Sequence, residues 1–249
     1  MELKEIVSWL DAQFAEYPVE DFSNNGLQIE ASRTVDKVAY AVDACVESIM
    51  GAAAAGAQLL IVHHGLSWGT GFARIAGQDA QRIGLCFQAG VSLYAMHLPL
   101  DAHRGMGNNA VLAEALGGEE LKPFAEVRGL KIGVLCRWNG TAGQLAEKVR
   151  ALTGAGCAVH GDASLEVGRL AIVSGGGDGE IAACAAAGAN VLLTGELRHS
   201  HAHEARELGV TVLSAGHYAT ETFGVRALAR ALEARFSCPV VEIPTDTGL

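Results

Sequence analysis

An α/β fold of two similar layered domains, produced by an internal duplication with a metal site between the halves, is predicted for this 249-residue chain by three observations. Short apolar runs alternate with longer amphipathic ones, the order expected of strands and the helices that cover them. Ala54-Ala55-Gly56-Ala57-Gln58-Leu59-Leu60-Ile61-Val62 lays over Ala186-Ala187-Gly188-Ala189-Asn190-Val191-Leu192-Leu193-Thr194, each an alanine-rich helix end, a glycine and a buried strand. The same small figure then closes both halves. It is His97-Leu98-Pro99-Leu100-Asp101 in one and His217-Tyr218-Ala219-Thr220-Glu221 in the other, each after an apolar run opened by Gly90-Val91 or Gly209-Val210.

Leu3, Ile6, Val7, Leu10 and Phe14 have the spacing of a helix over 2–14, which Tyr17-Pro18 ends. Asp21 to Gly26 reads as a turn-rich loop leading to Leu27-Gln28-Ile29. A strand over 37–42 and a helix over 46–55 follow, then a strand over 58–62 that runs into His63-His64. The first half continues with a helix over 80–89, a strand over 91–95 and a helix over 108–116 that Gly117-Gly118 stops. In the second half, strands are expected over 130–135, 169–173, 191–193 and 211–213. Helices are expected over 142–152, from the Ser174–Gly179 loop through Ala187, over 200–208 and over 221–235. Polar residues from Pro123 to Arg128 suggest a boundary, giving domains 1–125 and 126–249, with the last helix able to cross back onto the first domain.

With 50% hydrophobic and 18% charged residues the chain belongs among folded proteins. A net charge of −10 counts against a protein that grips nucleic acid through phosphates. The longest apolar run, near 58–62, is too short to span a bilayer, and Met1-Glu2-Leu3-Lys4-Glu5 does not open a secretion signal, so a cytoplasmic protein without a membrane partner is expected. Six scattered cysteines lack zinc-site spacing and read as buried apolar side chains.

In parallel sheets ligands gather at the carboxyl ends of strands, where these histidines fall. If the halves fold alike and face each other, His63, His64, His97, Asp101, His217 and Glu221 converge, and imidazoles with carboxylates in such number suit two divalent ions. Asp101 is expected as a ligand, and His97 either as a ligand or as a partner to one, since Pro99 gives its segment a tighter path. Glu221, with two oxygens, suits bridging two ions. Glu196 and His199 lie near a strand end as substrate or proton-transfer groups, although His199, His201 and His203 also read as ordinary surface histidines. The Ser174–Gly179 loop has the geometry to cradle phosphate but lacks a Lys-Ser/Thr ending, so tight turning is the favoured reading; Asn108-Asn109 reads as a helix cap.

Ser23-Asn24-Asn25-Gly26-Leu27-Gln28, His63-His64-Gly65-Leu66-Ser67-Trp68, His97-Leu98-Pro99-Leu100-Asp101 with Gly107-Asn108-Asn109, Thr194-Gly195-Glu196 and Gly216-His217-Tyr218-Ala219-Thr220-Glu221 together resemble the GTP cyclohydrolase I type two family, also called Nif-three-like or YbgI-like. The motifs span nearly the whole chain in order. The resemblance implies a two-metal site from His63, His64, Asp101, His217 and Glu221, with Glu221 shared, and a homohexameric toroid with its sites facing an internal cavity. Gly65 stands where the family often has proline, and Asn109 where it often has aspartate.

The leading expectation is a metal-dependent hydrolase of a small nucleotide-like or heterocyclic substrate, using two divalent ions per chain from among zinc, iron, manganese, nickel and cobalt, with Glu196 and His97 as its catalytic side chains. Against it stand a phosphoesterase using the same site, a non-catalytic metal-binding or regulatory ring, and a DNA-processing ring that the acidic balance disfavours.

Overall fold

The computed structural model describes residues 1–248, and the chain folds as an α/β protein with two sheets. In order its elements are α1 (Leu3–Gln13), β1 (Gly26–Ile29), β2 (Val38–Asp43), α2 (Val46–Ala54), β3 (Leu59–His64), α3 (Gly77–Ala89), β4 (Ser92–Ala95), α4 (Leu98–Ala102) and α5 (Asn108–Ala115). There follow β5 (Glu119–Val127), β6 (Leu130–Arg137), α6 (Ala142–Thr153), β7 (Ala158–His160), β8 (Arg169–Val173), a short 3₁₀ turn (Gly177–Glu180) and α7 (Ile181–Ala186). The chain closes with β9 (Val191–Thr194), α8 (His199–Glu207), β10 (Thr211–Ser214), α9 (His217–Phe236) and β11 (Val240–Glu242).

Two compact units emerge: residues 1–100 with 224–245, and residues 101–223 with the C-terminal stretch from Asp246. The first holds a five-stranded sheet of order β1-β4-β3-β2-β11, in which β1 alone runs antiparallel, against β4. The second holds a six-stranded sheet of order β5-β6-β8-β9-β10-β7, with β8, β9 and β10 parallel and β7 antiparallel to β10. The two sheets match in chain order as well as in space. In each, a helix (α1 or α6) precedes an antiparallel edge strand (β1 or β7), and three parallel strands follow (β2, β3, β4 or β8, β9, β10). The end of β3, carrying His63-His64, is thus equivalent to the Thr194-Gly195-Glu196 stretch at the end of β9, and His97 to His217.

Leu59 to Val62 are all fully buried, so β3 shows a continuous apolar run rather than alternation, as a central strand covered on both faces must. The expected elements are present with ends displaced by a few residues, but the stretch where the sequence suggests a boundary is β5. Being an edge strand it is largely solvent-facing, which hides the apolar pattern, and an edge tolerates Pro123. Arg128 (φ 50°) and Gly129 (φ 83°) form a two-residue turn between the paired Val127 and Leu130, the positive-φ hairpin that matches strand twist. The compact units accordingly separate at residue 100 rather than 125, because α5 and the β5–β6 hairpin pack together in the second unit. The three-residue strands β7 and β11 carry too few residues to give a sequence signal.

Among the described residues no helix is long and apolar enough to cross a membrane. All six cysteines are free thiols, five of them buried, and burial pushes Cys86, Cys136 and Cys157 up to about 11 and Cys184 up to about 12.

Candidate metal centre

In the first unit three imidazoles meet at the carboxyl ends of adjacent parallel strands. His63 and His64 end β3, His97 follows β4, and each offers a ring nitrogen within 4.8 Å of the others. Their ring centroids lie 4.6 to 5.6 Å apart. A strand would turn successive side chains to opposite faces, but here the β3 end opens into a loop, so both tandem histidines join the group.

Each ring is held through Nδ1. His63 Nδ1 lies 3.0 Å from the Met96 carbonyl, His64 Nδ1 2.8 Å from Asp43 Oδ1, and His97 Nδ1 2.8 Å from Asp21 Oδ1. Carbonyl and carboxylate oxygens only accept, so Nδ1 is the donor in each ring and Nε2 is the nitrogen that remains to meet a cation. This is the tautomer, and the outer support, that metal-binding histidines use. Asp21 is an organising residue in its own right: it also accepts from Asn25 Nδ2 and from the Leu98 backbone, while Asn25 Oδ1 accepts from the His97 N–H. Burial alone would raise the Asp21 carboxyl, but the His97 and Asn25 hydrogen bonds outweigh it and hold the group down to about 2. Gln28 Oε1 accepts from the Leu66 and Ser67 amides, fixing the loop after His64. Trp68 on that loop is 38% exposed and stands edge-on to His97 with centroids 5.1 Å apart. Its indole N–H donates to the Gly65 carbonyl.

In the second unit α9 begins at His217, four residues earlier than the sequence suggests, and this places His217 and Glu221 one turn apart on the same side. His217 Nε2 is 3.2 Å from Glu221 Oε1, and His217 Nδ1 is 2.6 Å from Glu196 Oε1. The Glu221 hydrogen bond, reinforced by Glu196 against the opposing effect of burial, raises the His217 imidazolium to about 9. A proton there answers two carboxylates, which is the electrostatic task a divalent cation performs with more charge. Asp101 is buried, and its Oδ1 accepts from Asn108 Nδ2 at 2.8 Å and Ser174 Oγ at 3.3 Å.

The glycine-rich loop after β8 supports the carboxylates rather than cradling a phosphate. Three of its amides are engaged within the fold: Ser174 N–H with Asn109 Oδ1, Gly175 N–H with Thr220 Oγ1 and Gly177 N–H with Thr194 Oγ1. Asn108 and Asn109 are likewise not caps. Gly107 is the N-cap of α5, and the two asparagine side chains serve Asp101, Ser174 and the Ile132 carbonyl instead. His201 is held by the buried Asp178, which also takes the Arg198 backbone and guanidinium; His199 and His203 sit exposed one turn apart.

Each group by itself has the donors a divalent transition ion takes: three imidazoles held through Nδ1 in the first unit, and an imidazole beside buried carboxylates in the second. Asp43 and Asp21 were not among the residues expected at the site. Asp43 had a usable signal, since it ends β2 level with His64 on the neighbouring parallel strand.

Asp178 carries a test of its own. Burial would raise its carboxyl, but Arg198 and His201 hold it down to about 2 against an ordinary 3.8. A folded value below the unfolded one stabilises the protein above about pH 4, and that contribution is lost as pH falls toward 2. Acid unfolding followed by circular dichroism is expected to be flatter over this window in Asp178→Asn than in the parent; parallel curves would show that the ion pair contributes nothing.

A model of the Duf34/NIF3 (NGG1p interacting factor 3) family matches residues 1–248. A GTP cyclohydrolase 1 type 2 homolog of Deinococcus radiodurans is 43% identical over 98% of this chain and 94% of its own, and one of Pyrococcus horikoshii is 42% identical over the full length of both. Among solved structures, protein ybgI, of unknown function, superposes with a TM-score of 0.91 at 31% identity, and a Thermus thermophilus protein with 0.88 at 44%, each covering both chains completely.

Proposed function

The chain belongs to the Duf34/NIF3 family, and on that premise we propose that it is a metal-dependent hydrolase of a small nucleotide-like or heterocyclic substrate. The observation that carries the reading is the common support of four imidazoles, each with Nδ1 against an oxygen acceptor, so that Nε2 would be the coordinating atom once an ion takes the place of the proton on His217. Two divalent ions per chain, zinc, iron, manganese, nickel or cobalt, are held by His63, His64, Asp101, His217 and Glu221. His97, supported in the same way as its neighbours, joins them as a further ligand or keeps their ring positions. Bound ions of this kind lower the pKa of a bound water toward neutrality and polarise the centre it attacks.

Around that chemistry the chain's own side chains position and shield. Glu196 holds His217 in orientation and, being half exposed, is also placed to pass a proton to solvent. Asp43 and Asp21 do for His64 and His97 what Glu196 does for His217. Trp68, 38% exposed beside the three-histidine group, offers an aromatic side chain on which a planar ring could pack, which favours a heterocyclic substrate. The homohexameric toroid and the cytoplasmic location implied above remain part of this proposal.

Elemental analysis of protein purified without added metal, with a screen for formate and phosphate release over nucleotides, tests it. Two ions per chain and a released product are expected, with formate marking ring opening and phosphate marking ester cleavage. Metal without turnover on any nucleotide would favour a metal-handling ring, and protein without metal would refute the site.

A further inference from the structure

We propose that the second unit contains a phosphate-binding subsite, a cavity of about 320 Å³ between α4–α5 and the β5–β6 hairpin, which takes the phosphate groups of the substrate. Arg104, Lys122 and Lys131 line it, facing Glu114 and Asp101. Three cations around one small cavity stand out in a chain with 18 basic and 28 acidic residues.

Two of these cations, Lys122 and Lys131, differ from other basic side chains of this unit. Arg137 pairs with Glu119, Arg150 with Glu147 and Arg198 with Asp178, while Lys148 donates to the Leu116 carbonyl and Arg169 to that of Ala187. Lys122 and Lys131 make no ion pair or side-chain hydrogen bond among the described residues. Three cations face two carboxylates in the cavity wall, and the surplus of positive charge is one that a polyanion answers. Two ammonium groups on one cavity wall suit oxyanions of high charge better than a single carboxylate. A volume of about 320 Å³ suits phosphate groups on a small molecule rather than a duplex backbone.

Asp101 links this cavity to the metal reading, on which the inference rests only for the reacting end of the substrate. With the Asp101 carboxylate engaged by a cation, Glu114 would be the one carboxylate left in the wall to face the two lysines.

Calorimetric titration of the purified protein with inorganic tripolyphosphate tests the subsite, with metal content measured before and after. The Lys122→Met/Lys131→Met double variant is expected to bind about tenfold more weakly or worse. Lys122→Arg/Lys131→Arg is expected to stay within about threefold of the parent, and so is Arg206→Met, an exposed cation of the same unit outside the cavity. A parent that fails to bind, or a double methionine variant that binds as the parent does, overturns the proposal; the arginine pair separates lost charge from lost fold. Guanosine triphosphate against tripolyphosphate then distinguishes a substrate's phosphates from free polyphosphate, since only the former adds affinity through the ring. Metal content is expected to be equal in all variants, so protein that binds tripolyphosphate but holds no metal would sink the hydrolase reading and leave the subsite standing.

Discussion

On the proposed two-ion site, Glu221→Gln is expected to lose at least one ion per chain, with apparent affinity for the remainder reduced more than about 100-fold, while the fold is retained. Glu221 is 4% exposed and sits in α9 one turn after His217, its Oε1 3.2 Å from the imidazole. Glutamine keeps the shape, the helix and a hydrogen-bonding oxygen, so packing changes little. What disappears is the negative charge, together with the second equivalent oxygen that a shared ligand needs. His63→Ala makes the contrast: removing an imidazole from the three-histidine group is expected to affect one ion only. Glu196→Gln removes only the support of His217 and should weaken binding by about 10- to 100-fold. Metal analysis after gel filtration, with competition against a chelator of known affinity, ranks the three. Full metal content in Glu221→Gln would remove Glu221 from the ligand set, and equal losses in Glu221→Gln and His63→Ala would deny it a bridging role.

The parts of this centre that were legible in the sequence are those that repeat or that sit at strand ends. His63-His64 announces itself because tandem histidines break a continuous apolar run, and His217 and Glu221 because they share a spacing with His97 and Asp101. The duplication itself was visible in the Ala-Gly-strand overlay, and the matching order of β2-β3-β4 and β8-β9-β10 bears it out. What stayed hidden is long-range. Asp21 reaches His97 across 76 positions of chain and Asn109 reaches Ser174 across 65, and neither pairing leaves a periodic trace. β5 was obscured for the opposite reason: an edge strand with one wet face is written in the polar residues that also mark linkers. The glycine-rich loop was ambiguous because phosphate cradles and tight turns use the same residue, and only the destinations of its amides decide between them.

That loop supplies the second large effect, expected from Gly175→Ala. Gly175 has φ +62°, and an added Cβ would lie 2.1 Å from Glu221 Oε1, 3.1 Å from its Cδ and 3.0 Å from His217 Nε2. Two penalties follow, and they separate experimentally. The left-handed backbone costs an alanine about 1–2 kcal/mol of stability. The methyl group meanwhile occupies space that the carboxylate fills, so Glu221 must swing away from its place beside His217. Metal binding should therefore fall more than about 100-fold, as in Glu221→Gln, but with a lowered unfolding midpoint that the glutamine variant does not share. Gly179→Ala is the matched control, because it lies in the same loop region, its φ is not positive and no atom stands within 4 Å of the new methyl group. It should stay within about 0.5 kcal/mol of the parent and keep its metal. If Gly175→Ala were destabilised yet fully metal-loaded, the crowding against Glu221 would be relieved without moving a ligand, and the loop would be a turn and nothing more. If it folded normally but bound no metal, its role would be that of a template: a backbone position kept bare so that one carboxylate has a single place to go.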